Sequence, residues 1–202
     1  MNEKRKITLK DIAKELKLSP STVSRALNGY PSLSEETIQL VKEYAAKHQY
    51  VPNTMAVNFR KNRTSILGMI VPQIVHHFFS TTISGALEAA KKRGYSILLA
   101  QSYDHLKEEI LASQYLLGMG VDGLLISVSN ETKEAEHLQA FLDEGKAVVQ
   151  FDKISEFLTS PKLVVDDFEG AYQATTHLIR EGYRKIAHLS GRMEVKNAEQ
   201  RF

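Results

Sequence analysis

Residues 6–28, KITLKDIAKELKLSPSTVSRALN, restrict the possible folds most, because they predict two short helices joined by a tight turn. Thr8 can cap the first helix, and the side chain of Asp11 in the first turn can accept a hydrogen bond from the Thr8 backbone N–H in return. Ser19 is a good N-cap, and Pro20 occupies the first helical position, where its missing N–H costs nothing. The second helix is therefore expected from about residue 20 to residue 27.

This second helix has one apolar side and one polar side. Val23 and Ala26 recur at helical spacing and predict the buried side. The other side holds hydroxyl and amide groups suited to phosphates and one guanidinium able to bond a guanine edge. Its members are Ser21, Thr22, Ser24, Arg25 and Asn28. The pattern is typical of the recognition helix of a helix-turn-helix, although a hairpin whose polar side faces only water is the alternative for this stretch alone.

Charge is divided unevenly along the 202 residues, whose formal net charge is +2. Residues 1–63 carry 12 Lys/Arg and 6 Asp/Glu, whereas residues 64–202 carry 14 and 18. A basic head on an acidic body indicates that the head meets a polyanion. The absence of cysteine excludes disulfides and thiolate metal sites. Without a signal peptide or a long apolar run, we expect a cytoplasmic protein with no membrane partner and no metal site.

Two further segments complete the predicted head. Ser34 can cap a third helix, which gives a helix-turn-helix domain over residues 1–50. Residues 51–63 form a predicted hinge helix or linker, which Asn53 could cap and which ends in basic residues. Such a short helix is unstable alone in water, so the segment is either an ordinary linker or one that folds against DNA.

From residue 64 onward, apolar runs typical of buried strands alternate with helical patterns. Single helices between strands predict right-handed crossovers and a parallel sheet covered on both faces. The expected fold class is a small all-α head on an α/β parallel-sheet body, with a first lobe over residues 64–161 and the start of a second over 162–202. Strands are expected at residues 65–71, 95–102, 121–129, 147–152, 162–167 and 185–191, and helices at 79–92, 106–117, 138–144 and 169–180.

Polar residues follow several of these strands. In parallel α/β sheets, ligands bind beyond the carboxyl ends of the strands. The polar side chains there could hydrogen-bond a small hydroxylated ligand, although the ends of loops are polar in most proteins. They include Gln73, Gln101, Ser127, Asp152, Lys153 and Asp166.

Several strings together resemble the lactose/galactose repressor (LacI/GalR) family of bacterial regulators. They are TLKDIAKELKLSPSTVSRALNG, LSEET, YVPN and a strand ending in VPQIVHHFF. The resemblance implies a head that binds double-stranded operator DNA as a homodimer and hinge helices that pair in the minor groove. It implies a body like the periplasmic sugar-binding proteins, which binds a sugar or nucleobase-like effector allosterically. The expected function is that of a transcriptional repressor without a cofactor.

The resemblance also assigns site residues. It implies base contacts by Pro20, Ser21 and Arg25, and phosphate contacts by Thr8, Thr22, Ser24 and Asn28. Hinge contacts in the minor groove fall on Asn53, Met55, Ala56, Phe59 and Arg60. Effector contacts fall on His76, His77, Phe78, Phe79, Ser127, Asp152, Asp166 and Arg201. The Phe residues could instead be core. Family members typically continue for over a hundred further residues, which implies a fragment or a short form.

Three other functions were weighed against regulation. The run Gly118–Gly123 matches G-x-G-x-x-G, but it ends a predicted helix and enters a strand, the reverse of the dinucleotide-binding order. No other catalytic signature is present, so we expect no enzyme. A plain ligand-binding protein would not need the basic head. A non-specific architectural DNA binder would use only the head and the hinge.

The hinge gives the first testable prediction. Phe59 stands where many family members have a leucine that wedges into a base step, and phenylalanine can serve as such a wedge. Phe59→Ala should therefore reduce the bend of bound operator DNA, which gel mobility of circularly permuted fragments measures. An unchanged bend would mean that Phe59 packs against the body instead.

Overall fold

The computed structural model describes residues 7–50, 63–191 and 196–202. The chain divides into two compact units, residues 1–61 and residues 62–202. The five residues predicted to contact the minor groove lie outside the described residues, so these assignments stay predictions. They are Asn53, Met55, Ala56, Phe59 and Arg60.

Within residues 7–50, the first unit contains three helices: α1 (Leu9–Glu15), α2 (Pro20–Leu27) and α3 (Glu35–Lys47). Each begins at a side-chain cap. Thr8 and Asp11 make a reciprocal capping box on α1, Ser19 caps α2, and the Ser34 hydroxyl accepts from the Thr37 N–H at 3.3 Å. The helices bury a small apolar core made of Ile12, Ala13, Val23, Ala26, Val41 and Ala45. This core fixes which side of α2 faces solvent.

The second unit is a parallel five-stranded sheet with the strand order β2-β1-β3-β4-β5. Helices connect the successive strands β1 to β4, as the alternating pattern predicts. In chain order the elements are β1 (Ile66–Val71), α4 (His77–Lys92), β2 (Ser96–Gln101), α5 (Leu106–Gly118), β3 (Gly123–Ile126), α6 (Glu136–Asp143), β4 (Ala147–Phe151), β5 (Lys162–Leu163), α7 (Asp167–Arg180) and α8 (Lys196–Arg201).

The sheet has a core on each face. On one side, Ile70, Leu124 and Ile126 pack against buried residues of α5 and α6 such as Leu116 and Phe141. On the other, Met69, Val71 and Phe151 pack against Phe79 and Ile83 of α4. Among the described residues, no helix is long and apolar enough to cross a bilayer.

Two sequence predictions about the second lobe are wrong. The strand expected at residues 185–191 does not form, and its apolar residues Ile186 and Leu189 are exposed. A strand needs a neighbour for its backbone groups, and an apolar run cannot specify one. The strand that begins at Lys162 is only two residues long and pairs with β4. Residues 162–163 therefore complete the first sheet instead of opening a second lobe.

The structure also differs from the sequence predictions in the bounds of one strand and one helix. The predicted strand at residues 121–129 is paired only over Gly123–Ile126. Residues 127–130 leave the sheet and form the first part of a loop. Helix α4 begins at His77, two residues before the predicted start. The loop that follows β3 is thus longer than the apolar pattern indicated, and it supplies part of the site described below.

The glycine run Gly118–Gly123 has a structural task. The Asp122 carboxylate accepts hydrogen bonds from the backbone N–H of Thr64 at 2.7 Å and of Ser65 at 2.9 Å. The Thr64 hydroxyl donates to the Gly120 carbonyl at 3.0 Å. The run therefore anchors the chain where it enters β1.

Gly68 gives a stability prediction. A Cβ at Gly68 would lie 2.9 Å from Cδ1 of Leu116 and 3.2 Å from Cδ1 of Leu124, both of which are buried. Because both leucines belong to a packed core and would have to shift, Gly68→Ala should lower the free energy of unfolding by about 1–3 kcal/mol. Urea denaturation would measure the change.

Gly85 provides the matched control. It lies within α4, and a Cβ there meets nothing within 4 Å. Gly85→Ala should raise the free energy of unfolding by roughly 0.5–1 kcal/mol, since alanine is the better helix former. Equal effects of the two substitutions would contradict the close packing at Gly68.

Candidate functional sites

The N-terminal turn of α2 carries a cluster of hydroxyl groups on its exposed side. The Ser19 hydroxyl accepts from the Thr22 N–H at 3.1 Å and lies 2.7 Å from the Ser21 hydroxyl and 2.8 Å from the Thr22 hydroxyl. Ser21 and Pro20 are exposed, and Thr22 is half-buried. The start of a helix attracts anions, because its free N–H groups and its dipole are positive there.

Arg25 lies one turn further along the same helix. Its side chain is exposed, and its guanidinium donates to no other group among the described residues. It is therefore available for a partner outside the chain. The buried residues Val23 and Ala26 on either side of it fix the helix against α1 and α3.

Two of the predicted phosphate contacts have local partners. The Thr8 hydroxyl donates to the Asp11 carboxylate at 2.7 Å as part of the capping box on α1. The Asn28 side-chain amide donates to the Ser24 carbonyl at 2.7 Å at the end of α2. Each group keeps further hydrogen-bonding capacity, so the predicted phosphate contacts are compatible with this geometry but not tested by it.

A cavity of about 390 Å³ lies beyond the carboxyl ends of β3 and β4. Of the predicted effector residues, Asp152 and Arg201 line it. A neighbouring cavity of about 340 Å³ shares three lining residues with it, Asn130, Lys153 and Asn197. Lys153 is one of the polar residues that follow the predicted strands. Sequence reasoning missed Asn130 and Asn197, although Asn130 directly follows an apolar strand pattern and the carboxyl-end rule covers it.

Asp152 sits at the centre of the first cavity's wall. Its φ is +58°, a left-handed conformation that aspartate adopts more readily than most residues. Its carboxylate accepts from the Ser127 hydroxyl at 3.2 Å, and the Asn197 amide lies 3.4 Å from its other oxygen. Burial raises the pKa of Asp152, against the opposing effects of the Ser127 hydrogen bond and of the charges on Lys153 and Arg201.

Both cations that line the cavity are paired with carboxylates. Lys153 Nζ lies 3.0 Å from Asp104 Oδ1, and Arg201 Nε lies 2.6 Å from Asp167 Oδ1. Asp104 also accepts from Asn130, at 2.9 Å from the backbone N–H and 2.6 Å from the side-chain amide. These contacts connect the loops that follow β2, β3 and β4.

A buried carboxylate of helix α5 accepts hydrogen bonds from the loop after β3. Glu109 of α5 is fully buried. Its oxygens lie 2.5 Å from the Ser129 N–H nitrogen, 2.9 Å from the Thr132 hydroxyl and 2.8 Å from His137 Nε2. A buried charge is tolerated only when hydrogen bonds satisfy it. Glu109 therefore fixes the path of the loop that carries Asn130.

Several predicted effector residues lie elsewhere. Phe79 is 7% exposed and belongs to the core under β1 and β4, so the prediction that it contacts an effector is wrong. Asp166 lines neither cavity, and its carboxylate caps α7 by accepting from the Glu169 N–H at 2.9 Å. Its contact with an effector stays a prediction. The neighbouring Asp167 points toward Arg201 instead.

Ser127 is fully buried and lines neither cavity, but its hydroxyl donates to the Asp152 carboxylate. The last three, His76, His77 and Phe78, are exposed at the start of α4. They line neither cavity, and Phe78 packs edge-on against Phe79. Their role in effector binding stays a prediction. Within the part of the chain that the structure describes, no group of three or more His, Asp or Glu residues is placed to hold a metal ion.

Two family profiles match the chain and together cover nearly all of it. Residues 8–53 match the bacterial regulatory proteins of the lacI family. Residues 64–201 match the periplasmic binding proteins and sugar binding domain of the LacI family. The boundary between the two matches falls in the segment that joins the helical unit to the parallel sheet.

Curated relatives agree with these matches. The regulator of the NTD biosynthesis operon, NtdR, from Bacillus subtilis (strain 168) is 30% identical over 182 residues, which is 89% of this chain and 54% of that protein. The transcriptional repressor PurR from Vibrio vulnificus is 31% identical over 196 residues, which is 96% of this chain and 58% of that protein. The chain thus spans a little over half the length of these relatives.

Solved structures share the fold. The lac repressor dimer bound to operator and the anti-inducer ONPF superposes with a TM-score of 0.83 over 98% of this chain and 59% of that one, at 22% identity. The regulator CelR in complex with cellobiose gives a TM-score of 0.56 over 96% of this chain and 58% of that one, at 27% identity. The first likeness concerns the fold alone.

Glu109 gives the prediction for this site. Glu109→Ala leaves Ser129, Thr132 and His137 without their buried partner, so the free energy of unfolding should fall by about 3–5 kcal/mol. Urea denaturation of the variant would measure the loss.

The matched control is Glu134→Ala, which removes an exposed carboxylate near the same loop. We expect this variant to stay within about 0.5 kcal/mol of the parent. A loss at Glu109 no larger than that at Glu134 would contradict the role given to the buried carboxylate.

Proposed function

Because the chain belongs to the LacI family of bacterial regulatory proteins, we propose that it is a sequence-specific DNA-binding transcriptional regulator that acts as a repressor. The observation that carries this proposal is the outer side of α2. It presents hydroxyl groups at the helix start and an unpaired guanidinium one turn later. Operator DNA lies inside the cell, so the proposed place of action is the cytoplasm.

On this proposal, α2 enters the major groove with its N-terminal residues toward the bases. Pro20, Ser21 and Arg25 face the base edges, and Thr8, Thr22, Ser24 and Asn28 meet phosphates. Pro20 has no side-chain donor, and Ser21 has a single short hydroxyl. Direct reading of the bases therefore rests mainly on Arg25, which can bond a guanine through two parallel hydrogen bonds.

We propose that the regulator works as a homodimer. One small helical unit makes too few contacts for specific binding, and helix-turn-helix proteins commonly read two half-sites. Helix α5 and its C-cap offer an exposed apolar stripe at four-residue spacing, made of Leu111, Tyr115 and the cap residue Met119, each about half or more exposed. One solved structure that shares the fold is a lac repressor dimer bound to its operator.

The cavities beyond β3 and β4 are the proposed effector site. The family profile over residues 64–201 names a sugar-binding domain, which favours a sugar over a nucleobase. Asp152 and Arg201 are the proposed contacts. A ligand there changes regulation only if it binds one arrangement of the body better than another. The proposed mechanism is allosteric binding without catalysis. Effector binding shifts the body between two arrangements, and this shift either orders the hinge or frees it.

Arg25→Ala tests the DNA-binding proposal. The substitution should remove discrimination at one base pair and weaken operator binding by about 1–3 kcal/mol, while binding to random DNA falls less. Fluorescence anisotropy with the operator and with a single-base variant at that position, each measured over a salt series, would separate the two effects.

Arg25→Lys is the matched control, because it keeps the charge and loses the two-pronged hydrogen bond. This variant should bind random DNA like the parent and should still lose discrimination. Equal losses on operator and random DNA for Arg25→Ala, with Arg25→Lys unchanged on both, would make Arg25 a phosphate contact only.

A further inference from the structure

Charge differs between the two edges of the parallel sheet. The loops after β1 to β4 lie at the carboxyl edge and hold two lysines and five Asp or Glu residues. These loops are residues 72–76, 102–105, 127–135 and 152–161. The amino edge has four cations at the corner where β1 and β2 begin. They form the basic corner, which consists of Arg63 before β1 and of Lys91, Lys92 and Arg93 at the end of α4.

Backbone pairing brings the two parts of the basic corner to the same place. Ile66 of β1 is paired with Ser96 of β2, and the Ser96 N–H donates to the Ser65 carbonyl at 3.0 Å. Arg63 and Arg93 each precede one of the paired residues by three positions. The cations therefore stand at the start of two neighbouring parallel strands.

The cations of the basic corner are available to a partner. All four are exposed. Arg63 and Lys91 have no hydrogen-bond or ion-pair partner among the residues that the structure describes. Lys92 pairs with Glu88 at 2.6 Å, but their side chains are 70% and 68% exposed, and such a pair contributes little to stability. Arg93 makes one long hydrogen bond, at 3.4 Å to a backbone carbonyl of α4.

The basic corner is also where the chain from the helical unit enters the sheet. Asp122 fixes this entry, because its carboxylate accepts from the backbone N–H of Thr64 at 2.7 Å and of Ser65 at 2.9 Å. It also accepts from the Thr64 hydroxyl at 2.9 Å. Arg63 directly precedes these two anchored residues. The connection to the helical unit therefore joins the sheet beside the four cations.

Chain length limits how far the basic corner can lie from DNA that the helical unit holds. Tyr50 and Arg63 are 13 positions apart in the sequence. A fully extended chain covers at most about 3.6 Å per residue, so these two residues are never more than about 45 Å apart. One turn of B-DNA is about 34 Å long. Phosphates within about one turn of a bound half-site are therefore within reach of the corner.

We propose that the basic corner is an additional DNA-binding surface, which contacts phosphates of the DNA that flanks the operator. The inference rests on the proposed function, because α2 must first place the chain on DNA. Exposed Lys and Arg side chains bind phosphates without reading bases. The corner therefore adds affinity and salt dependence, but no sequence preference.

Arg93→Gln in the full chain tests this surface, because Arg93 is exposed at the end of α4 and the fold should persist. The DNA is an operator duplex selected from random sequences and extended by about one turn on each side. One phosphate contact fewer lowers the salt slope by about 0.9, so the advantage of the parent should shrink about 3.5-fold between about 50 and about 200 mM salt. Fluorescence anisotropy measures each Kd. Random DNA of the same length should show the same change.

Two controls locate the effect. A duplex trimmed to the operator lacks the flanking phosphates, so the parent and Arg93→Gln should bind it alike. Lys107→Gln removes the same charge from the exposed start of α5, at the carboxyl edge, and should bind every duplex like the parent. Size-exclusion chromatography checks that each variant keeps the oligomeric state of the parent.

Glu88→Gln tests the sign of the effect. It removes the carboxylate that pairs with Lys92 and leaves this cation to phosphate alone. Binding to the flanked operator should tighten by about twofold, a factor comparable to the strength of an exposed ion pair. Glu134→Gln removes the same charge from the loop after β3, at the carboxyl edge, and should leave the Kd unchanged.

Equal changes in salt dependence for Arg93→Gln and Lys107→Gln would overturn the inference, and so would an equal loss for Arg93→Gln on the trimmed duplex. The preference of the parent for operator over random DNA judges the regulator function separately. A chain that has this preference but no Arg93 effect refutes the basic corner alone. A chain that shows the Arg93 effect without the preference refutes sequence-specific regulation alone, and one that binds no DNA refutes both.

Discussion

Parallel pairing of the five strands brings all their carboxyl ends to one edge of the sheet, and the proposed ligand site depends on this constraint. Ser127 after β3 and Asp152 after β4 are 25 residues apart in sequence, yet their side chains meet at 3.2 Å. Asn130 and Lys153 reach the same carboxylate, Asp104, from two different loops. An antiparallel arrangement would send neighbouring loops to opposite edges.

Loops at such an edge need support, because their backbone groups lack the partners that a sheet provides. Glu109 supplies that support for the loop after β3, with one carboxylate bonded to a backbone N–H, a hydroxyl and an imidazole. In the helical unit the backbone N–H groups at the helix starts also lack partners, and the side chains of Thr8, Ser19 and Ser34 cap them. In both places short-range polar contacts determine where the functional side chains point.

The proposed ligand site also joins elements that are far apart in the chain. Asn197 of α8 contacts Asp152 beyond β4, and Arg201 of the same helix pairs with Asp167 at the start of α7. A ligand that binds Asp152 and Arg201 therefore touches the sheet and the helices that follow it. Such a ligand can favour one relative placement of these elements, which is the physical requirement for allosteric control.

The sequence by itself determined the head helices, their caps and the exposed side of α2, because these depend on residues within four positions of each other. It also determined the alternation of strands and helices, and it indicated the edge of the sheet where the proposed ligand site lies. Only the tertiary structure decided which polar residues line the cavity. Phe79 is core, Asp166 is a helix cap, and residues 162–163 belong to the first sheet. These outcomes depend on partners more than ten residues away or on the side to which one side chain turns, and periodicity carries no information about either.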